Sequence, residues 1–331
     1  MKAMVLAAGK GERMRPLSLL RAKPALPVLN RPLLLWTLER LARHGVTEVV
    51  INLHHLPESV VSAVGRRPFG LAVSYSREEK ILGTAGGPRQ VRDFFGREPF
   101  LLVNGDCVFE FDLARLVRRH VASGAAATLA LKPNPDPRVY GPVVTDRRGW
   151  VRSLPDLERR PGTLSLFTGI HVLDPALLDG LPPGPSDSVR QLYAPLVADG
   201  GRVQGVRVFG AWYDLGRRKL YLDAQLRLMR SRRAGARGLV DRGAAIGRGA
   251  RVVRAVLGEA VVEAGARVER SVVWDGARVG PGALVRRSIV ASGVAIEAGE
   301  RVESQVVVPA AAVGRFAGGT RRDERVFVEL S

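Results

Sequence analysis

The chain reads as two stretches with different hydrophobic periods. In the first, short apolar runs alternate with amphipathic segments. Met4–Ala7 is an unbroken apolar run and predicts a short buried strand. Pro32–His44 (PLLLWTLERLARH) predicts a helix, with Leu34, Leu38 and Leu41 on one face, proline in its first turn and Gly45 as its stop. Glu48–Asn52, Leu71–Ser76 and Phe100–Asn104 predict further strands, and Thr84–Phe95 and Asp112–Ala122 predict helices between and after them. Such alternation predicts an α/β domain with a mixed, mostly parallel sheet, whose ligands sit beyond the carboxyl ends of strands. Gly9, Gly83 and Asp106 all fall past or near such ends. From about Pro133 the pattern loosens. Gly141–Thr145, Leu166–Leu173 and Val203–Val208 predict short strands between proline-rich turns, a mainly antiparallel extension suited to closing over a second substrate. A helix at Lys219–Met229 ends this part, and Arg230–Gly238 (RSRRAGARG) reads as a linker.

Beyond the linker a period of 17 takes over: Val262, Val279 and Ile296 recur at that spacing, as do Val268, Val285 and Val302, and Gly265, Gly282 and Gly299. Within a repeat the apolar positions step by 6, 6 and 5, through Val262, Val268 and Trp274 to Val279, Val285 and Ala291. Three near-equal steps predict a three-sided solenoid with one inward residue per side and glycine at the corners. The helical period of 3.6 is absent. The stretch resembles the hexapeptide-repeat left-handed β-helix, with Ile246–Gly247 opening a less regular first coil. The expected division is therefore 1–229 for a first domain, 230–239 for the linker, and 240–331 for the β-helix with a C-terminal tail.

At 331 residues and 46% hydrophobic content the chain supports two domains. The net charge of +19 comes from 51 Lys+Arg against 32 Asp+Glu, and only six of the cations are lysine. The arginines are spread rather than blocked, without the clustered aromatics or basic stripes of a nucleic-acid binder, so no nucleic-acid partner is expected. No apolar run approaches the roughly 20 residues of a membrane span, and charges begin too early for a leader, so no membrane association is expected. One cysteine, Cys107, forms no intrachain disulfide, which fits a reducing cytoplasm. Beside Asp106 it reads as a packed small side chain, with no neighbouring base to make it a nucleophile.

The candidate chemistry starts at LAAGKGERMRP, behind the first strand. The nucleotide P-loop pattern is absent, and a dinucleotide fingerprint fails because Met14 stands where its third glycine belongs. What remains is a glycine turn whose backbone N–H groups can approach phosphate oxygens, with Arg13 and Lys23 to supply charge to a polyphosphate.

The wider pattern resembles the sugar-1-phosphate nucleotidyltransferases, or nucleotide-sugar pyrophosphorylases. LAAGKGERMRPLSLLRAKPALPV is followed in that family's order by ILGTAGG at 81–87, LLVNGD at 101–106, FTGIHVL at 167–173 and WYDLG at 212–216, across roughly the first 225 residues. The β-helix tail also occurs in many members. The resemblance implies a Rossmann-like catalytic domain in which Leu6, Ala7, Ala8, Gly9 and Gly11 hold the nucleotide. Arg13 and Lys23 would bind its triphosphate and steady the transition state, and Gly83, Thr84, Ala85 and Gly86 would line the base pocket. Gly105 would join the nucleotide site, and Asp106 and Asp214 would bind Mg²⁺. Tyr140, Gly141, Glu158, Arg159, Thr168 and Gly169 fall where the family holds the sugar phosphate. In the implied reaction a sugar-1-phosphate oxygen attacks the α-phosphorus of a nucleoside triphosphate and pyrophosphate leaves. The nucleophile is already an anion, so positioning and charge neutralisation do the catalysis.

Three features bear on specificity. No glutamine precedes GTAGG, which brings LGTAG closer to guanylyl-transferring members and points to GTP with mannose 1-phosphate or a related sugar. The opening MKAMVLAAGKGERMRPL is also close to bacterial uridylyltransferases acting on N-acetylmuramic acid 1-phosphate. That leaves uridylyl or thymidylyl transfer to a glucose, N-acetylhexosamine or N-acetylmuramic acid 1-phosphate as the alternative. The family's Glu-Lys-Pro stands here as Glu158-Arg159-Arg160-Pro161, so either arginine could replace its lysine, and its W-x-D-x-G-Thr ends in Gly216-Arg217. A non-catalytic nucleotide-sugar sensor would not need Arg13, Lys23, Asp106 and Asp214 together. Acyl transfer by the β-helix is disfavoured, since the five histidines (44, 54, 55, 120 and 171) all lie outside the repeat. The tail is expected to be structural and to support a homo-oligomer.

Overall fold

The computed structural model describes all residues except 66, 156–160, 232–234, 236, 237 and 315. They pack as two units, Met1–Gly9 with Leu34–Trp212, and Lys10–Leu33 with Tyr213–Ser331.

The first unit is built on a nine-stranded sheet. Lys2–Leu6 lies at its centre, parallel to Glu48–Leu53 on one side and Phe100–Asn104 on the other, and Ala72–Arg77 extends the parallel part. The first three of these strands are nearly continuous buried runs, as in a parallel sheet covered on both faces, whereas Ala72–Arg77 at the edge alternates and is mostly open. Thr163–Leu173 then joins Phe100–Asn104 antiparallel, flanked by Pro142–Thr145 and Ala127–Pro133. Val203–Arg207 runs parallel to Ala127–Pro133. The loosened region is thus mainly antiparallel and continues the same sheet.

Several elements of this unit differ from expectation, among them helix Pro57–Val64, which the sequence reading did not assign. The helix expected over Thr84–Phe95 is two helices, Gly83–Gln90 and Arg92–Phe95, broken at Val91 with φ −111° and ψ 27°. Pro88 lacks the N–H that would bond back one turn, which weakens the helix where it breaks. Strand Ala127–Pro133 is buried over its first five residues but alanine-rich, so it carries little β-branched signal. Elsewhere caps agree with their residues: Asp112 accepts from the N–H groups of Ala114 and Arg115 and starts helix Leu113–Ser123.

The second unit carries the solenoid. Three parallel sheets stack its coils, one through Gly238–Val240, Ala255–Leu257, Val272–Val273, Ile289–Val290 and Gln305–Pro309. Val262 pairs with Val279 and Val279 with Ile296, as the period of 17 requires. Ala245 pairs with Val261, an offset of 16, because the corner Gly258–Ala260 is one residue shorter than its counterparts. There the Asp275 carboxylate accepts the Glu259 N–H at 2.9 Å, and Gly258 leaves it room. The prediction of glycine at the corners needs correcting for one column. Gly265, Gly282 and Gly299 have φ of 65–70°, yet the third column is Arg254, Arg270, Arg287 and Ser304 at φ 47–53°. Buried Ser271 and Ser288 follow two of these residues and donate to backbone carbonyls of their own coil and of the next, which holds that corner. Arg325–Glu329 closes the far end antiparallel to Gln305–Pro309, and Thr320–Arg322 pairs antiparallel with Arg325–Glu329.

Candidate active site

In the first unit the expected nucleotide residues gather at the carboxyl end of Lys2–Leu6. Leu6 is paired with Asn104, and the Gly105 N–H donates to the Leu6 carbonyl at 2.9 Å. A Cβ on Gly105 would stand 2.7 Å from that same oxygen, so only glycine permits this turn. The stitch puts Asp106 one residue from the loop Leu6–Gly9. Ala7 N–H donates to Asn52 Oδ1 at 2.7 Å, Asn52 Nδ2 donates to Glu78 Oε1 at 2.8 Å, and Glu78 Oε2 accepts the Leu82 N–H at 2.9 Å. This buried relay ties the loop to the segment that begins at Gly83. Sequence reading missed Asn52 and Glu78; an asparagine closing the apolar run EVVIN was the available signal.

The GTAGG segment is held from behind. Ala85 and Gly86 N–H groups donate to the Ser186 carbonyl at 2.8 and 3.2 Å. Thr84 Oγ1 donates to Asp187 Oδ2 and accepts the Ser188 N–H. Gly83, at φ +77°, has the Ser186 carbonyl 2.6 Å from where a Cβ would be. Ala85, Gly86 and Gly87 are buried, while Leu82, Gly83 and Thr84 stay partly open.

The expected sugar side converges on Trp212. Its Nε1–H donates to the Thr168 carbonyl at 3.1 Å, and its ring meets Tyr140 edge to face at 5.8 Å between centroids. Thr168 Oγ1 donates to the Ala130 carbonyl. Gly169, at φ +77°, lies against the Asn104 side chain with no space for a Cβ, and a Cβ on Gly141 would strike Pro155. The strand pairing slips between Phe167 and His171, a bulge that turns this stretch. Glu158, Arg159 and Arg160 lie outside the described residues. His171 is buried, with the Tyr193 hydroxyl on its Nδ1 at 2.5 Å, and burial drives its pKa down to about 3. It is a neutral core imidazole.

The second unit holds the cationic turn. Gly11 adopts φ 62°, and its carbonyl accepts the Ser18 hydroxyl at 2.8 Å. A Cβ there would press on Ser18 at 3.1 Å and on Lys23 Cβ at 3.4 Å, so glycine lets the buried Lys23 fold back under the turn. Asp214 Oδ1 accepts the Gly216 N–H at 2.7 Å. Arg13 Nη2 lies 3.2 Å, and Asp214 Oδ1 2.8 Å, from the point above Gly216 where a side chain would begin. Arg13 and Asp214 therefore share one corner. The segment is anchored within its unit. Leu29 N–H donates to Gln225, Asn30 Nδ2 to the Leu257 carbonyl, and Arg21 donates to Ser292 and lies over the Trp274 ring. Arg218 donates to the Arg15 carbonyl at 2.6 Å, with its pKa lowered by burial.

Comparison with known proteins agrees with both halves. Residues 2–231 match the family model described as "Nucleotidyl transferase", and residues 228–317 that of "GlmU-like, C-terminal hexapeptide". A UTP–glucose-1-phosphate uridylyltransferase of Synechocystis sp. is 35% identical over 242 residues, 68% of this chain and 62% of that protein. The chain thus spans less than two thirds of that relative. A mannose-1-phosphate guanylyltransferase of Mycobacterium tuberculosis is 33% identical over 297 residues, 86% of this chain and 83% of its own. Among solved structures, a putative glucose-1-phosphate thymidylyltransferase of Bacillus anthracis superposes with a TM-score of 0.61 at 23% identity, over 71% of this chain and 97% of that one, and so shares the fold.

Proposed function

Because the chain belongs to the nucleotidyl transferase family, we propose that it transfers a nucleotidyl group from a nucleoside triphosphate to a sugar 1-phosphate. The sugar-phosphate oxygen bonds to the α-phosphorus, the α–β bridge breaks, and pyrophosphate leaves. The observation that carries this reading is the Gly105–Leu6 hydrogen bond, which fixes Asp106 beside the loop Leu6–Gly9. Loop N–H groups, Arg13 and Lys23 take the roles of orienting the triphosphate and offsetting its charge. The attacking phosphate is ionised at neutral pH, so no side chain need remove a proton.

Asp106 and Asp214 are the proposed ligands of a divalent cation, Mg²⁺ by the chemistry of the donors. Two carboxylates suit a hard cation. Such a sparse donor set suits an ion that completes its shell with water and phosphate oxygens. When bound, it supplies charge neutralisation on the polyphosphate.

GTP with mannose 1-phosphate is the preferred substrate pair. LGTAG without a preceding glutamine supports it, as does the mycobacterial guanylyltransferase matched over most of both chains. The Synechocystis uridylyltransferase keeps UTP as the second reading. We propose the division 1–229, 230–239 and 240–331 for catalytic domain, linker and β-helix; the family matches change over at 228–231. The β-helix is proposed to join copies of the chain, and the lone buried Cys107 supports a cytoplasmic setting. Among the described residues no helix is long and apolar enough to cross a membrane. Pyrophosphate release, screened for each nucleoside triphosphate against a panel of sugar 1-phosphates, tests the assignment. GTP with mannose 1-phosphate should turn over fastest; a preference for UTP selects the second reading, and no turnover with any pair refutes both.

A further inference from the structure

A second cleft lies in the first unit, between helix Leu113–Ser123 and strands Pro142–Thr145, Thr163–Leu173 and Val203–Arg207, with a volume of about 580 Å³. None of the residues assigned above to nucleotide, metal or sugar phosphate lines it. Six exposed arginines do: Arg115, Arg118, Arg119, Arg147, Arg148 and Arg207. Asp146 is the one acid among the described lining residues, and Arg152 already holds it through Nε at 2.9 Å and Nη2 at 2.6 Å. Arg118 Nη2 also lies 3.5 Å from Asp112 Oδ2, yet positive charge still predominates in the lining, which favours an anion.

The floor separates this cleft from an ordinary basic surface. Thr145 and Ser165 are buried there, and Gln204 is only 1% exposed. Gln204 Nε2 donates to the carbonyls of Arg148 and Gly205 at 3.2 and 3.3 Å, which fixes the amide's orientation. Its Oε1 is then buried without a hydrogen-bond partner among the described residues. A buried acceptor left in that state costs about 1–3 kcal/mol. Two glycines let the backbone pack closely there. Gly149 holds φ +84°, and a Cβ on Gly205 would stand 2.5 Å from Leu131 Cδ1 and 2.7 Å from Thr145 Cγ2. Guanidiniums above and an unpartnered acceptor with two hydroxyls below call for a ligand that is anionic at one end and rich in hydroxyl groups at the other.

We propose that this cleft is a separate binding site for a phosphorylated sugar, with the phosphate among the arginines and a sugar hydroxyl donating to Gln204 Oε1. Calorimetric titration of the full chain with glucose 6-phosphate, with inorganic phosphate and glucose as separate arms, tests it. Arg118→Ala with Arg147→Ala alters only exposed side chains. It should weaken glucose 6-phosphate at least tenfold, while Asp106→Asn should leave that binding unchanged. Inorganic phosphate should bind more weakly than glucose 6-phosphate, and Gln204→Leu should remove the difference. The proposal is overturned if no saturable binding is seen, if inorganic phosphate binds as well as the sugar phosphate, if the arginine variant binds normally, or if only Asp106→Asn loses binding.

Discussion

His171 stands two residues past Gly169, sealed from water, and its pKa of about 3 makes it a pH-dependent weakness of the first unit. The unfolded chain takes up a proton near the ordinary value of 6.5, whereas the folded chain resists until about 3. Between those values the unfolded state holds the extra proton, so stability falls as pH falls, by about 2 kcal/mol on reaching pH 5. Denaturant unfolding at pH 7.5 and pH 5 should show this loss in the wild type and a smaller loss in His171→Leu. Equal losses would show that His171 is not its source. Residues of this kind separate what the sequence makes legible from what it hides. Gly105, Asp106 and the loop from Leu6 are readable because they sit in short contiguous motifs. Asn52 and Glu78 are not, since the hydrogen bond that gives each its meaning spans 26 positions.

At the level of elements, the segment Lys10–Leu33 carries Arg13 and Lys23 and belongs to the unit that contains the solenoid. Its outer contacts run from Arg21 to Ser292 and Trp274 and from Asn30 to the Leu257 carbonyl. The coils therefore act as a brace for the turn proposed to hold the triphosphate. Replacing both Arg21 and Asn30 by alanine should raise KM for the nucleoside triphosphate roughly tenfold, the equivalent of about 1.4 kcal/mol, with little change in circular dichroism. An unchanged KM would show that the turn holds its shape unaided. The solenoid itself was legible because a 17-residue period repeats its inward rows; Val262, Val268, Val279 and Val285 are all buried as read. Ala127–Pro133 escaped because alanine favours no strand, and its pairing on both sides decides its state. The arginine corners escaped because a left-handed non-glycine residue leaves no compositional mark.

For the molecule as a whole, the two ends of the solenoid differ. The last coil is capped by Arg325–Glu329, whereas Ile246, in the inward row of the first coil, is 40% exposed. Its counterparts Val262, Val279 and Ile296 are buried. An open core row of this kind fits a surface that a second copy covers. Light scattering should give a multiple of the 35.8 kDa chain mass, reduced by Ile246→Arg; an unchanged mass in the variant would place the contact elsewhere. The central claim is that Asp106 serves nucleotidyl transfer, and pyrophosphate release from GTP and mannose 1-phosphate with Mg²⁺ tests it most directly. Asp106→Asn should lower turnover by roughly a hundredfold or more while GTP binding by equilibrium dialysis persists. A variant that releases pyrophosphate at the wild-type rate would contradict the account.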